Sequence, residues 1–300
     1  MLSEEHIPVL AEPLIEKLIL PADAVIVDCT LGHGGHSLLL GSRLGPNGRI
    51  IGLDVDPESI KKARDVLAGL ECRVDIYREN FSRIDSVMEL AGAESADLIL
   101  ADLGFCSAQL ENTERGLSFE QNMPLDMRLD ERLEVTAADI LKSEDENVLA
   151  DIIYRFGEER ASRRIARLIV EQRKNKPITT TAELAAIVVR AKGLNRRWVK
   201  SRSKEIAQTF QALRIAVNHE LDVLERLLEN LPSRLKTGGY AAVITFHSLE
   251  ARIVKQSFKQ LEKAGVYEAL TKKPITASQD ECRRNPRSRS AQMRVVCKKM

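Results

Sequence analysis

Apolar segments and glycine-containing breaks alternate along the first hundred residues. Four short apolar runs, rich in β-branched residues, predict strands. These strands are expected at 24–28, 49–54, 73–78 and 97–102. The segments between them carry apolar residues on one side and predict helices at 37–44, 57–70 and 82–91. Because the strands are apolar rather than alternating overall, they are typical of a parallel sheet covered on both faces.

The pattern changes to a helical one between about 109 and 203. Two pairs have the spacing of a capping box, Ser143 with Glu146 and Thr180 with Glu183. Helices are expected at roughly 144–155, 159–174 and 181–191. This stretch therefore predicts a helical insertion in the α/β domain.

The sheet is expected to resume after one long helix. Apolar residues recur every three or four positions from Ile206 to Leu231, and Pro232 ends the pattern. Residues 235–239 then turn the chain into a fifth apolar strand at 240–246. A last strand near a sheet edge is expected at 293–297.

These patterns together predict an α/β, Rossmann-like fold interrupted by an all-helical domain. The sheet domain is expected to comprise 1–110 and 205–300, and the helical insertion 111–204. Neither a repeat nor a low-complexity tract is found in the sequence.

Charge separates along the chain although the total is nearly neutral. Lys and Arg number 45 against 44 Asp and Glu, a net charge of +1, which argues against a generally basic coat. The stretches 190–204 and 283–300 nevertheless hold seven basic residues each and no acid. Such stretches suit a polyanionic partner such as RNA, and solvated faces balanced by acids from elsewhere are the alternative.

Other compositional features favour a cytoplasmic protein without a metal. No apolar run approaches the roughly 18 residues that cross a bilayer, and Glu4 and Glu5 stand where a secretory signal needs positive charge. The five cysteines contain no C-x-x-C pair, so neither a disulfide framework nor a zinc ribbon is expected. His33 and His36 lack neighbouring partners for a zinc set.

A glycine-rich loop follows the first predicted strand and reads DCTLGHGGH from Asp28 to His36. Glycines at such a position let the backbone approach a ligand closely. Ser37 stands where a dinucleotide fingerprint has its third glycine, which argues against a nicotinamide cofactor. Asp28 would repel a pyrophosphate but attract an ammonium group. The loop therefore predicts S-adenosylmethionine as the cofactor.

Polar residues end the next three strands as well. Asp54 can accept hydrogen bonds from ribose hydroxyls, and Asn80 with Phe81 suits the edge and face of adenine. Asp102 ends the fourth strand. Because open α/β sheets bind ligands outside the carboxyl ends of their strands, these residues predict one crevice and a methyltransferase. For each residue alone, capping or turn formation is the alternative.

Several motifs carry a family resemblance over nearly the whole chain. They include HIPVL from His6, DCTLGHGGHS from Asp28, DLGFCSAQL from Asp102, PLDMRLD from Pro124, TFQALRIAVNHEL from Thr209 and NPRSRSAQMR from Asn285. With these motifs the chain resembles the bacterial small-subunit ribosomal RNA cytosine-N4 methyltransferases, the MraW or methyltransferase H family. Phe105, Cys106, Ala108 and Ala251 depart from the family's usual pattern.

The resemblance implies a class I S-adenosylmethionine-dependent methyltransferase whose helical insertion recognises the substrate. It implies that the cofactor contacts Gly34, Gly35, His36, Asp54, Phe81, Asp102 and Gln109. The implied substrate is the N4 amino group of a cytidine in 16S ribosomal RNA near the decoding centre. The implied partner is the small-subunit RNA or the assembled small subunit.

Asp102 is the candidate catalytic residue. The N4 nitrogen of cytosine is a poor nucleophile, and an acceptor near its N–H would take up the positive charge that develops during transfer. Asp102, or a backbone carbonyl in 102–109, is one candidate for that acceptor. The rival hypothesis is that Asp102 only orients the cofactor.

Two segments are candidates for RNA contact. Trp198 lies among Arg196, Arg197 and Lys200, and basic residues around an aromatic suit base stacking with phosphate contact. A buried core tryptophan is the alternative. Arg287 and Arg289 in the basic tail form the second candidate surface.

Two other functions remain open from the sequence. The same fold could methylate another amine, in a protein or in DNA, although Leu103-Gly104-Phe105 does not match the usual DNA amino-methyltransferase motif. A non-catalytic, RNA-binding assembly factor is the other alternative.

Overall fold

A computed structural model describes residues 8–104, 115–194 and 203–299. The chain divides into two compact units, with boundaries at 104/105 and 220/221. The two outer segments form one unit, called here the sheet unit, and 105–220 form the helical unit. An interrupted sheet domain was predicted, but with its boundaries at 110/111 and 204/205. The second boundary lies later because the segment at 206–218 belongs to the helical unit.

Eight strands of the described chain form one sheet. In chain order they are β1 (Val25–Asp28), β2 (Arg49–Asp54), β3 (Arg73–Arg78), β4 (Ala96–Asp102), β5 (Leu235–Thr245), β6 (Tyr267–Ala269), β7 (Ile275–Thr276) and β8 (Gln292–Lys298). Their spatial order is β3-β2-β1-β4-β5-β8-β6, and β7 pairs with β8. Neighbours from β3 to β5 are parallel, whereas β8 is antiparallel to β5. The predicted parallel sheet is confirmed, and its chain order reverses between β1 and β4.

The helices alternate with these strands and then form the second unit. In chain order the described helices are α1 (Ala11–Lys17), α2 (Gly35–Gly41), α3 (Pro57–Leu67), α4 (Ile84–Leu90), α5 (Ala137–Ser143), α6 (Glu146–Gly157), α7 (Ser162–Arg173), α8 (Thr181–Lys192), α9 (Ser203–Asn218), α10 (Glu220–Arg234), α11 (Ser248–Lys263) and α12 (Gln279–Arg284). The helices predicted around α2, α3, α4, α6, α7 and α8 are confirmed with shifted ends. None of the described helices is both long and apolar enough to span a bilayer.

The prediction of one long helix between Ile206 and Leu231 was wrong. Two helices, α9 and α10, share the apolar pattern, and His219 separates them with a left-handed backbone conformation (φ 51°). The turn predicted at 235–239 was also wrong, because β5 already begins at Leu235. Its pairing with β4 shifts register between Ala96 and Leu98.

Both faces of the sheet are buried, as the continuous apolar strands predict. Val27, Ile51 and Ile99 lie in the core on one face, together with residues of α4 and α10. Ile26 and Leu98, their neighbours in sequence, lie in the core on the other face with residues of α1 and α2. Successive side chains of a strand point to opposite faces, so each strand contributes to both cores.

One of the two predicted capping boxes is present. The Glu183 N–H donates to Thr180 Oγ1 at 3.3 Å, and the Thr180 N–H donates to Glu183 Oε2 at 3.2 Å, at the start of α8. The box predicted for Ser143 and Glu146 was wrong, because Ser143 is the last residue of α5 and its hydroxyl donates to the Asp139 carbonyl. Serine hydroxyls bond equally well to a carbonyl one turn back, and the spacing alone does not separate the two uses.

Replacing Thr180 with Ala is expected to lower the free energy of unfolding by about 1 kcal/mol, because the first turn of α8 loses its side-chain acceptor. Urea denaturation followed by circular dichroism measures the change. Thr180→Ser keeps the hydroxyl and serves as the control. An unchanged midpoint for Thr180→Ala would show that water replaces the cap without cost.

Candidate active site

The loop between β1 and α2 is organised by Asp28. Its side chain is buried, with the residue 1% exposed, and burial raises the pKa of this carboxyl. Oδ2 accepts a hydrogen bond from the Ser37 hydroxyl at 2.7 Å, and Oδ1 accepts one from the Thr30 N–H at 3.2 Å. Ser37, which replaces the third glycine of a dinucleotide loop, is therefore the partner that holds this carboxylate.

The glycines of the loop have the conformations that a close approach requires. Gly34 is left-handed at φ 84° and precedes the first turn of α2. A Cβ atom at Gly34 would lie 3.2 Å from Leu67 Cγ, and one at Gly35 would lie 3.4 Å from Pro8 Cγ. A side chain at Gly34 would strain the left-handed backbone, and a side chain at Gly35 would crowd Pro8.

Asp54 ties the end of β2 to this loop. Its Oδ2 accepts from the Gly32 N–H and its Oδ1 from the Asp56 N–H, both at 2.8 Å. Burial raises the pKa of Asp54 to about 6, although the two backbone hydrogen bonds favour its charged form. Each carboxylate oxygen has a second lone pair, so Asp54 can still accept from a ligand.

Asp102 and His36 face each other at the ends of β4 and the glycine loop. His36 Nδ1 lies 3.7 Å from Asp102 Oδ2, and His36 Nε2 lies 2.9 Å from the Val9 carbonyl oxygen. Because a carbonyl oxygen only accepts, Nε2 must carry a proton. Nδ1 is therefore the ring nitrogen that faces the Asp102 carboxylate.

One oxygen of Asp102 is buried without a hydrogen-bond partner among the described residues. The Asp102 side chain as a whole is 23% exposed, but its Oδ1 atom is sealed from solvent and no described group bonds to it. Burial raises the pKa of Asp102 to about 6; the interaction with His36 opposes the shift, whereas Asp28 and Glu250 add to it. A buried carboxylate oxygen with unused lone pairs is a candidate acceptor for a substrate or cofactor N–H.

Asn80 and Phe81 follow β3 with different uses. Asn80 Oδ1 accepts from the Ser82 N–H at 2.9 Å and caps the short 3₁₀ turn Phe81–Arg83. The capping alternative is thus present at Asn80, and its oxygen is already engaged. The Phe81 ring is half-buried against the core on one face of the sheet, so part of its surface stays exposed.

The first turn of α11, just after β5, contributes an acid, Glu250, that was not among the predicted site residues. Glu250 is 4% exposed, and its Oε2 accepts from the Phe246 and His247 N–H groups at 2.9 and 3.3 Å. His247 Nε2 lies 3.1 Å from Glu250 Oε1. A Cβ at Gly104 would lie 3.2 Å from the Phe246 ring, so the segments after β4 and β5 adjoin. The sequence held one signal for this acid, because Glu250 follows His247 by three residues, which is the spacing of a capping box.

The structure places six of the seven proposed cofactor residues at the carboxyl ends of β1 to β4. These are Gly34, Gly35, His36, Asp54, Phe81 and Asp102. Gln109 lies outside the described residues, as do Arg196, Arg197, Trp198 and Lys200. Arg287 is half-buried and Arg289 exposed in a 3₁₀ turn near the C-terminus, and their contact with RNA stays a prediction.

The crevice is strongly acidic. Asp28 interacts electrostatically with both Asp54 and Asp102, and Glu250 interacts with Asp102. Between about pH 4 and pH 6 the folded chain holds protons on Asp54 and Asp102 that the unfolded chain releases. Their contribution to the stability of the ligand-free protein is therefore greatest below about pH 4 and is lost as the pH rises through about 6. A cation offsets this cost, so the site suits a ligand with ammonium and sulfonium charges.

Comparison with known proteins gives a consistent result. A family model described as the MraW methylase family matches residues 3–299. The ribosomal RNA small subunit methyltransferase H of Koribacter versatilis is 44% identical over 302 residues, which cover 98% of this chain and 94% of that protein. The protein of the same name from Clostridioides difficile is 41% identical over 306 residues, covering 97% and 98% of the two chains.

Solved structures share less with this chain. An rRNA methylase from Streptococcus thermophilus has a TM-score of 0.42 at 11% identity and covers 97% of this chain and 92% of its own. Fibrillarin from Aeropyrum pernix, solved with natively bound S-adenosyl-L-methionine, has a TM-score of 0.40 at 14% identity, covering 96% and 73%.

Family membership rests on the sequence relatives, because a family model that spans 3–299 leaves almost no part of the chain outside it. The chain belongs to the MraW methylase family, and its cofactor is S-adenosylmethionine, as the glycine loop and the strand-end acids predicted.

Proposed function

We propose that this chain methylates the N4 amino group of a cytidine in small-subunit ribosomal RNA, near the decoding centre. The observation that carries the proposal is the buried Oδ1 of Asp102, to which no described residue donates a hydrogen bond, because it offers an acceptor for an amino N–H among the acids of this site. The names of the relatives in Koribacter and Clostridioides support ribosomal RNA of the small subunit as the substrate. Cytoplasmic location stays a prediction that follows from that substrate.

The residues of the crevice fit the cofactor. Asp54 would hold the ribose hydroxyls, Phe81 would lie against the adenine, and the Gly34–Gly35 backbone would admit the amino acid portion. When bound, S-adenosylmethionine supplies a methyl group activated by a positively charged sulfur. Within this protein, the carboxylates around the loop stabilise positive charge and position the donor for an in-line approach of the amine.

Asp102 has the task of accepting a proton. Transfer of a methyl group to N4 would place positive charge on that nitrogen. A hydrogen bond from N4–H to Asp102 Oδ1 would stabilise that charge, and the same oxygen would then take the proton. His36, held by the Val9 carbonyl, would orient the other oxygen of Asp102.

Cofactor affinity is expected to fall as the pH decreases from 7 to 5. The pKa values of Asp54 and Asp102 lie at about 6, so acid protonates both carboxylates and removes their attraction for the cationic ligand. The dissociation constant should rise by up to about 10-fold through protonation of Asp54 and by only a few-fold more through protonation of Asp102. Calorimetry at pH 5, 6 and 7 measures it. S-adenosylhomocysteine lacks the sulfonium charge and should weaken less; an equal loss for both ligands would contradict the role of sulfonium charge.

Methyl transfer from labelled S-adenosylmethionine tests the proposed function. The substrates are naked small-subunit RNA and assembled small subunits, and mass spectrometry of the digested RNA identifies the modified nucleoside. N4-methylcytidine at one position supports the proposal. Label in ribosomal protein or in DNA would instead favour methylation of another amine. Cofactor and RNA binding without transfer to either substrate would favour a non-catalytic assembly factor.

A further inference from the structure

A row of exposed arginines lies on one side of the helical unit. It consists of Arg160 in the turn before α7 and Arg163, Arg164 and Arg167 on α7, and it is called here the arginine face. We propose that the arginine face binds the phosphate backbone of the RNA substrate. This inference rests on the proposed function for the identity of the polyanion, and it concerns residues distinct from the two basic segments singled out in the sequence.

Helical geometry places these arginines together. At 3.6 residues per turn, positions 163, 164 and 167 lie within one arc of about 100°. The opposite side of α7 is buried, with Ile165, Ala166 and Ile169 in the core of the helical unit. Because α7 is fixed through that buried side, the guanidinium groups are presented to solvent from a rigid support.

The arginine face has few acidic partners. Arg167 Nε lies 3.9 Å from Glu171 Oε1. Both side chains are largely exposed, so this ion pair is weak. Arg160, Arg163 and Arg164 make no ion pair with any described residue. Other arginines of this unit are paired closely: Arg128 with Asp126 at 2.7 Å and Arg214 with Glu220 at 2.7 Å.

Unpaired like charges at this spacing cost stability, since residues three and four apart on a helix are neighbours. On α7, Arg163 with Arg167 and Arg164 with Arg167 are such pairs. Apart from the weak Arg167–Glu171 contact, no described residue of the unit forms an ion pair with these arginines, so the charges fit a partner that arrives from outside. Guanidinium groups match phosphate oxygens with paired N–H donors, and an RNA backbone supplies phosphates in a row.

Binding of in vitro transcribed small-subunit RNA to the full chain tests the inference. Filter binding is measured from 50 to 300 mM KCl for wild type and for the triple variant R163Q/R164Q/R167Q. The matched control is K255Q/K259Q/K263Q, which removes three exposed cations from α11 in the sheet unit. The arginine variant is expected to bind at least about 10-fold more weakly near 100 mM KCl, with a salt slope shallower by about 2, whereas the control stays within about 2-fold.

Two results would overturn the inference. In one, the arginine variant keeps the wild-type affinity and salt slope; in the other, both variants lose affinity equally, which would indicate an effect of net charge alone. A variant that keeps RNA affinity but loses binding to purified small-subunit proteins would also overturn it and favour an acidic protein partner. Thermal melting checks folding, and the arginine variant should melt no lower than wild type because like-charge repulsion is removed.

Failure of the proposed function gives a different signature. If wild type transfers no methyl group to any RNA while the arginine variant alone loses RNA affinity, the arginine face is supported and the reaction is not. Where transfer does occur, the arginine variant should show a raised KM for RNA with kcat and cofactor affinity unchanged. An unchanged KM for RNA would contradict the proposal that the arginine face binds the RNA substrate.

Discussion

Replacing Asp102 with Asn is expected to slow single-turnover methyl transfer by about 10²- to 10³-fold, with cofactor affinity changed by only a few-fold. The amide keeps the size of the side chain, but it cannot take a proton and holds less negative charge beside the reacting nitrogen. The buried Oδ1 that has no described partner is the acceptor that the substitution disables. Rapid-quench measurement at saturating cofactor and RNA separates this chemical step from binding.

Asp97→Asn is the matched control for Asp102→Asn, because both acids belong to β4 and lie near opposite ends of the strand. Asp97 Oδ2 accepts from the Val25 N–H and from Lys236 Nζ, both at 2.7 Å, so its loss should lower stability and leave the saturated rate unchanged. The rival hypothesis, in which Asp102 only orients the cofactor, requires the opposite result: a large loss of cofactor affinity with a normal rate at saturation.

The acidic crevice could be predicted from sequence because the strands that carry its acids have a clear apolar pattern. Asp28, Asp54 and Asp102 each follow an apolar run, and parallel strands bring their carboxyl ends to one edge of the sheet. The hydrogen-bond and electrostatic partners of these acids were harder to predict from the sequence. Ser37 served in the sequence only to argue against a dinucleotide, whereas its hydroxyl holds Asp28 in the structure. Glu250 lies beyond the strand end, and nothing in the local pattern predicts its electrostatic interaction with Asp102.

The break between α9 and α10 shows a limit of periodicity. The apolar spacing continues from Ile206 to Leu231, and a single left-handed residue, His219, separates the two helices without interrupting that spacing. Each helix meets a different core: Phe210 and Leu213 contribute to that of the helical unit, and Leu224 to that of the sheet unit. Periodicity identifies which residues are buried but not which core they join.

Asp54 both holds the glycine loop and can contact the cofactor, so its loss should lower cofactor affinity strongly. Its two oxygens accept N–H groups from Gly32 in the glycine loop and from Asp56 after β2, so the carboxylate fixes the backbone on which the cofactor would lie. Its remaining lone pairs are available for ribose hydroxyls. Hydrogen bonds to a charged acceptor contribute about 1.5–3 kcal/mol each. Loss of the ribose contacts and of loop order should therefore be visible directly in binding.

The variant Asp54→Ala is expected to weaken S-adenosylmethionine binding by about 100-fold or more, as measured by calorimetry on protein freed of carried-over ligand. Asp75→Ala is the control: this acid lies in the neighbouring strand β3 but pairs with the Arg49 and Arg73 side chains, and its loss should leave the dissociation constant within about 2-fold. Equal affinities for Asp54→Ala and wild type would mean that the ribose does not contact Asp54. Such a result would contradict the placement of the cofactor in this crevice. An affinity loss shared by both variants would indicate a general disturbance of the sheet. Only a loss confined to Asp54→Ala ties the cofactor to the carboxyl end of β2.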